Sequence, residues 1–215
     1  MDARTVGLLS TVQDEREIRY LAWHIVNCIA ATVAGVKPAT IINLKKGRNR
    51  VFDLWNEFGG VLFNGSRISY CEFKKDSHSV VLFFYLRRVL CELFKVERTR
   101  KFFSALGYET DQGIENILLH LKKRYNSNLF PHEMGVFLGI PLKDVEAFMG
   151  LKTLSYVKTS MWKMYGKAEE SLKVEWRYKQ GKRMIKKRLF MGGDPVRIIN
   201  RECWLSCLLS SKIQD

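Results

Sequence analysis

Apolar positions along the chain follow two different periods. From Val12 the spacing is helical. Ile18, Leu21, Ala22, Ile25, Ile29 and Val33 share a face, Ser10 and Thr11 precede Gln13, Asp14 and Glu15 as a start signal, and Gly35 with Pro38 marks the stop. One helix over 12–34 is expected. Ala39–Leu44, Ile68–Lys74 and Ser79–Leu86 have strand length, and the polar turn Lys75-Asp76-Ser77-His78 joins the last two as a hairpin. Ser79–Leu86 is apolar at consecutive positions, which predicts a central strand covered on both faces.

Val51, Leu54, Trp55 and Phe58 predict a further helix closed by Gly59-Gly60. Arg87–Leu106 reads as helical with a break near Lys95. Asp111–Tyr125 reads as an amphipathic helix with Lys122, Lys123 and Arg124 at its C-terminal end, where the helix dipole favours cations. Phe130–Gly150 (FPHEMGVFLGIPLKDVEAFMG) has the composition of a rigid helix–turn–helix unit. Leu154–Met164 reads as a strand, Glu169–Leu189 as a long helix, Gly192-Gly193-Asp194-Pro195 as a breaker and Val196–Leu209 as a short apolar tail element. The expected fold is α/β in the mixed sense: a small, mainly antiparallel sheet (39–44, 68–74, 79–86 and 154–164) covered by several helices, with a long basic C-terminal helix. Residues 1–191 are expected to form one globular domain and 192–215 a C-terminal appendage.

Composition supports a folded chain, since 47% of the 215 residues are hydrophobic, enough for a core at this length. Charge changes the picture more. Lys and Arg number 36 against 22 Asp and Glu, a net +14, and such an excess attracts polyanions. Residues 151–215 alone carry 15 Lys and Arg against 6 Asp and Glu, so most of the excess falls in the last third. Cys28, Cys71, Cys91, Cys203 and Cys207 are scattered without a CxxC pair, as expected of reduced thiols. Cys203 and Cys207 are four apart, with no His or further Cys close by to make a metal set. The N-terminus lacks the basic start and apolar run of a secretory leader, and no run approaches the ~20 apolar residues that span a bilayer. A cytoplasmic location is expected.

The basic helix is the strongest chemical signal. Lys173, Arg177, Lys179, Lys182, Arg183, Lys186, Lys187 and Arg188 face few acids beyond Glu175, and Trp176 and Tyr178 are interleaved among them. Like charges on one helix repel, so the pattern points to a polyanionic partner, nucleic acid or an acidic protein, against the alternative of a solvated face.

A second set of residues is a candidate ligand pocket: His24, Lys37, Tyr85, Arg87, His132, Glu133 and Trp162. His24 and Cys28 are four apart on the first helix. Lys37 precedes Pro38 on a rigid turn, and Tyr85 and Arg87 end the central strand, where ligands often bind. Trp162 with Arg87 or Lys163 makes a candidate stack for a nucleotide-like ligand. His132-Glu133 resembles the start of a zinc-binding HExxH, but Val136 stands where the second His belongs, and that reading fails. The structural alternative puts Pro131 in a first helical turn with Glu133 favoured by the dipole. No phosphate loop, GxGxxG or GxSxG is present, and no catalytic residue, metal site or cofactor is assigned.

Three blocks carry a resemblance to a known family: HIVNCIAATVAGVKPATIINL (His24–Leu44), FPHEMGVFLGIPLKDVEAFMG (Phe130–Gly150) and MWKMYGKAEESL (Met161–Leu172). They resemble, in order and over roughly residues 20–180, an uncharacterised family from anaerobic bacteria catalogued as domain of unknown function 3793. The chain departs from that pattern at Ile25-Val26-Asn27, where the family has Cys-Ala-Pro, and at Ile140, where it has Tyr. The family implies no established activity. Its members are encoded near iron-uptake and flavodoxin genes, which points to physiology rather than mechanism. Two readings follow. One is a non-enzymatic polyanion-binding protein, for nucleic acid or nucleoprotein, using the basic helix. The other is a small-ligand or cofactor-binding protein, or an unrecognised enzyme, linked to iron or redox metabolism.

Overall fold

The computed structural model describes residues 12–127 and 130–200. The first apolar stripe forms α1 (Val12–Cys28), which buries Ile18, Leu21, Ala22, Ile25 and Val26. The helix expected to run unbroken to residue 34 bends at Ile29 and resumes as a single turn, α2 (Ala30–Val33). Thr32 is fully buried there, and its hydroxyl meets that of Thr40 at 2.8 Å, tying α2 to the strand that follows. Gly35, at φ +80, ends the turn.

The central sheet comprises β1 (Ala39–Lys45), β2 (Ser69–Lys75) and β3 (Ser79–Tyr85), in the order β1-β3-β2 and antiparallel throughout. The β2–β3 hairpin is closed by Asp76, whose carboxylate accepts the backbone N–H groups of His78 and Ser79, each at 2.8 Å. β3 is central, as its unbroken apolar run requires. Val80, Leu82 and Phe84 face one core, and Val81, Phe83 and Tyr85 face another.

The first core is closed by α1, by α3 (Val51–Phe63) and by parts of two C-terminal helices. α3 does not stop at Gly59-Gly60. The Trp55 indole covers Gly59 so closely that a Cβ there would lie 2.8 Å from a ring carbon, and the helix continues until Leu62 and Phe63 are buried. The second core is closed by α4 (Arg87–Lys95), α5 (Glu97–Ala105), α6 (Ile114–Asn126), α7 (Met134–Phe137) and α8 (Leu142–Phe148). The break expected near Lys95 falls at Val96, and α6 begins at Ile114 rather than Asp111 because Gly113 sits at φ +88.

The run Leu154–Met164 departs from expectation. It is not a fourth strand of the main sheet. It forms most of a separate antiparallel ribbon, β4 (Tyr156–Thr159) with β5 (Lys163–Tyr165). The chain reverses at Ser160–Trp162 because Trp162 turns inward to a buried partner on α8. α9 (Glu169–Phe190) then crosses α2, and α10 (Pro195–Asn200) buries Ile198 and Ile199 against α1. The remainder of the tail element expected over Val196–Leu209, with Cys203 and Cys207, lies outside the described residues.

Candidate functional site

On α9 the buried positions are Ser171, Glu175, Tyr178, Gly181, Ile185 and Leu189. Their steps of three and four residues make one inward stripe, which leaves every predicted cation off it. Lys173, Arg177, Lys179, Lys182, Arg183, Lys186 and Lys187 are exposed, and Arg188 is half-buried. Lys179 pairs with Glu175, which is buried and also accepts a 2.6 Å hydrogen bond from Ser160. These two partners hold the Glu175 carboxyl below its ordinary range. Among the described residues, Lys182, Arg183, Lys186 and Lys187 have no carboxylate partner.

Those four cations and Lys179 line one side of an open groove of about 950 Å³. Trp23 and Asn27 of α1 supply the other side, and Leu189 and Phe190 close one end. Trp23 is 44% exposed and Phe190 is 92% exposed, so aromatic faces stand among fixed positive charges. The side-chain oxygen of Asn27 is buried and has no hydrogen-bond partner among the described residues. Toward its N-terminus α9 is different. The depression beside Lys173, Trp176 and Arg177 also carries Glu169 and Glu170, which offset its charge.

The groove is held in place by close approaches. Gly181 faces Ala34 and Val36, and a Cβ there would lie 3.0 Å from that of Ala34 and overlap a Val36 methyl. The Tyr178 hydroxyl donates to the Gly139 carbonyl at 2.6 Å, and burial pushes its pKa up to about 12. Gly139, at φ +79, is left no room for a side chain by Pro38 and Tyr178. Lys37 lies beside this junction. Burial, with the neighbouring Lys182 charge, lowers its ammonium to about 8.

A second assembly joins the ribbon to α8. Asp144 is 1% exposed and takes four donors. Lys143 Nζ and the Tyr165 N–H donate to one oxygen at 2.8 and 2.9 Å, and Trp162 Nε1 and Ser171 Oγ to the other at 2.9 and 2.5 Å. Burial pushes the Asp144 carboxyl up, but these donors together bring it below the ordinary aspartate range. Trp162, fixed this way, forms part of the floor of a cavity of about 310 Å³ whose rim includes His132.

The candidate pocket residues thus divide. His132 and Trp162 line one cavity. Glu133 turns the other way into a buried cluster, accepting from Tyr108 Oη at 2.9 Å and from Arg124, with His120 stacked on Tyr108. Tyr85 faces the second core, and exposed Arg87 pairs with Glu115. His24 is half-buried on α1, with its pKa lowered by burial. Burial raises the Cys28 thiol pKa, against the opposing charges of Lys186 and Lys182. No group of three His, Cys, Asp or Glu residues able to hold a metal occurs among the described residues. Sequence reading missed Trp23 and Asn27, which carry no local motif, and Asp144, whose only signal was an acid inside the apolar run of Phe130–Gly150.

A family model described as "Protein of unknown function (DUF3793)" matches residues 25–199, which include the whole Asp144 assembly and the α9 side of the groove but begin after Trp23. No curated protein and no solved structure matches the chain. No helix among the described residues is long and apolar enough to cross a membrane.

Proposed function

The chain belongs to the DUF3793 family, and because that description assigns no activity, we propose a function from the surface alone: the groove between α1 and α9 binds a polyanion, nucleic acid or a nucleoprotein. The observation that carries this reading is the row Lys182, Arg183, Lys186 and Lys187, without a carboxylate partner among the described residues and facing exposed Trp23. Four like charges on two helical turns destabilise the free protein, and a phosphate backbone removes that cost by contact. Trp23 adds a face on which an unpaired base stacks, worth about 1–3 kcal/mol per base. The role is binding rather than catalysis, in the cytoplasm, and an acidic protein is the competing partner.

Fluorescence anisotropy with a labelled oligonucleotide, single-stranded and duplex, tests it. Contact with about four phosphates gives a slope of log K against log salt near −2.8 for single strands and −3.6 for duplex. Reversing Lys182, Arg183, Lys186 and Lys187 to Glu abolishes binding, and Trp23→Ala weakens the single strand more than the duplex. Failure of the unaltered protein to bind either oligonucleotide at about 20 mM salt overturns the reading, because electrostatic binding is strongest there.

A further inference from the structure

We propose that the cavity between α7, α8 and the β4–β5 ribbon is a binding site for a small ring-bearing carboxylate, separate from the basic groove. The two share no lining residue. The floor is apolar and fixed: Met134, Val145 and Trp162 are all buried, and the indole N–H of Trp162 is held by Asp144 at 2.9 Å. Leu138 and Ile140 form a half-buried wall. A wall already locked in place costs a ligand little ordering on binding.

Size narrows the ligand. The cavity measures about 310 Å³, at the lower end of small-molecule sites. A closed apolar cavity of about 150 Å³ accepts one benzene ring, so this one suits a compact system of two rings. It is too small to enclose a nucleotide.

Charge narrows it further. Among the described residues Asp144 is the only carboxylate in the lining, and both its oxygens are fully engaged by donors. It therefore does not present a free negative charge to a ligand. At the rim Lys163 is exposed, its ammonium 5.6 Å from the centre of the Phe148 ring and without a carboxylate partner among the described residues. His132 stands edge-on to the same Phe148 ring at 5.1 Å. Rings thus fill an aromatic and aliphatic interior while a single anionic group meets Lys163 and His132 at the mouth.

The probe is 2-naphthoate, titrated by calorimetry into the full chain, with uncharged 2-naphthamide as its partner. We expect saturable one-to-one binding of both, the acid binding more tightly. Lys163→Met, a surface change outside the core, weakens 2-naphthoate about tenfold and leaves 2-naphthamide unchanged, because only the acid uses the charge. Leu138→Trp fills the cavity and weakens both at least about tenfold. The variant with Lys182, Arg183, Lys186 and Lys187 reversed binds both as the unaltered chain does, which separates this site from the polyanion surface. No saturable binding of 2-naphthoate at millimolar concentration overturns the proposal. So does loss of both ligands to the same extent in Lys163→Met, or loss of binding in the charge-reversed groove variant.

Discussion

At the scale of single residues, Asp144 decides most. It lies in the family's second block, and three of its four donors, Trp162, Tyr165 and Ser171, lie in the third. One buried carboxylate therefore joins two stretches that the sequence shows only as separate motifs. Replacing it by Asn keeps the volume but turns an amide NH₂ toward groups that are themselves donors. A buried donor left without a partner costs about 1–3 kcal/mol. For Asp144→Asn we expect a loss of about 2–3 kcal/mol at neutral pH, a fall in Tm of roughly 4–12 °C for a chain of this size. The pH dependence has a definite sign. Because the folded carboxyl titrates below its ordinary value near 4, its contribution is fully present above about pH 4 and is lost as pH falls through the lower folded value. Denaturant midpoints of the two proteins should therefore converge toward pH 2. A gap that stays constant down to that pH rules out the carboxylate as its source.

At the scale of elements, glycines show where sequence reading stopped short. Gly59-Gly60 had the look of a helix stop, yet both lie inside α3, as Gly181 lies inside α9. What the sequence cannot display is the neighbour across the gap: Trp55 over Gly59, Val36 and Ala34 against Gly181, Pro38 and Tyr178 against Gly139. The residue pattern alone was enough for β3 and for the α4–α5 break, because each depends on one stretch of chain; it placed Tyr178 among the cations of α9, whereas the side chain is buried on the inward stripe. The separate ribbon was not legible, because it depends on Trp162 finding Asp144. Opposite outcomes of one substitution test this account. Gly60 is exposed, with nothing nearer than 4.0 Å to an added Cβ, so Gly60→Ala should stabilise α3 by roughly 0.5–1 kcal/mol. Gly181→Ala gains the same helix preference but forces α9 away from α2, and overpacking of that kind costs about 1–3 kcal/mol. Urea unfolding should show gain for the first and net loss for the second. Gain for both would mean that α9 is not seated tightly on α2.

At the scale of the whole molecule, the net +14 is concentrated where the fold does not use it. Lys182, Arg183, Lys186 and Lys187 stabilise nothing visible in the free protein, since they lie off the buried stripe and lack partner carboxylates among the described residues. Their mutual repulsion should lower its stability. A surface kept for binding and a surface kept for folding then differ in the sign of one measurement. Changing all four to Gln removes repulsion without adding contacts, so at about 20 mM salt the variant should melt a few degrees above the unaltered protein. Salt screens the same repulsion, with a Debye length of only about 3 Å at 1 M, so the two melting temperatures should come together there. The unaltered protein should also gain Tm in the presence of a polyanion while the Gln variant does not, because only a ligand that prefers the folded state raises stability by mass action. A Gln variant that melts lower than the unaltered protein at low salt would place these cations in the framework of the fold and withdraw the electrostatic argument for the groove.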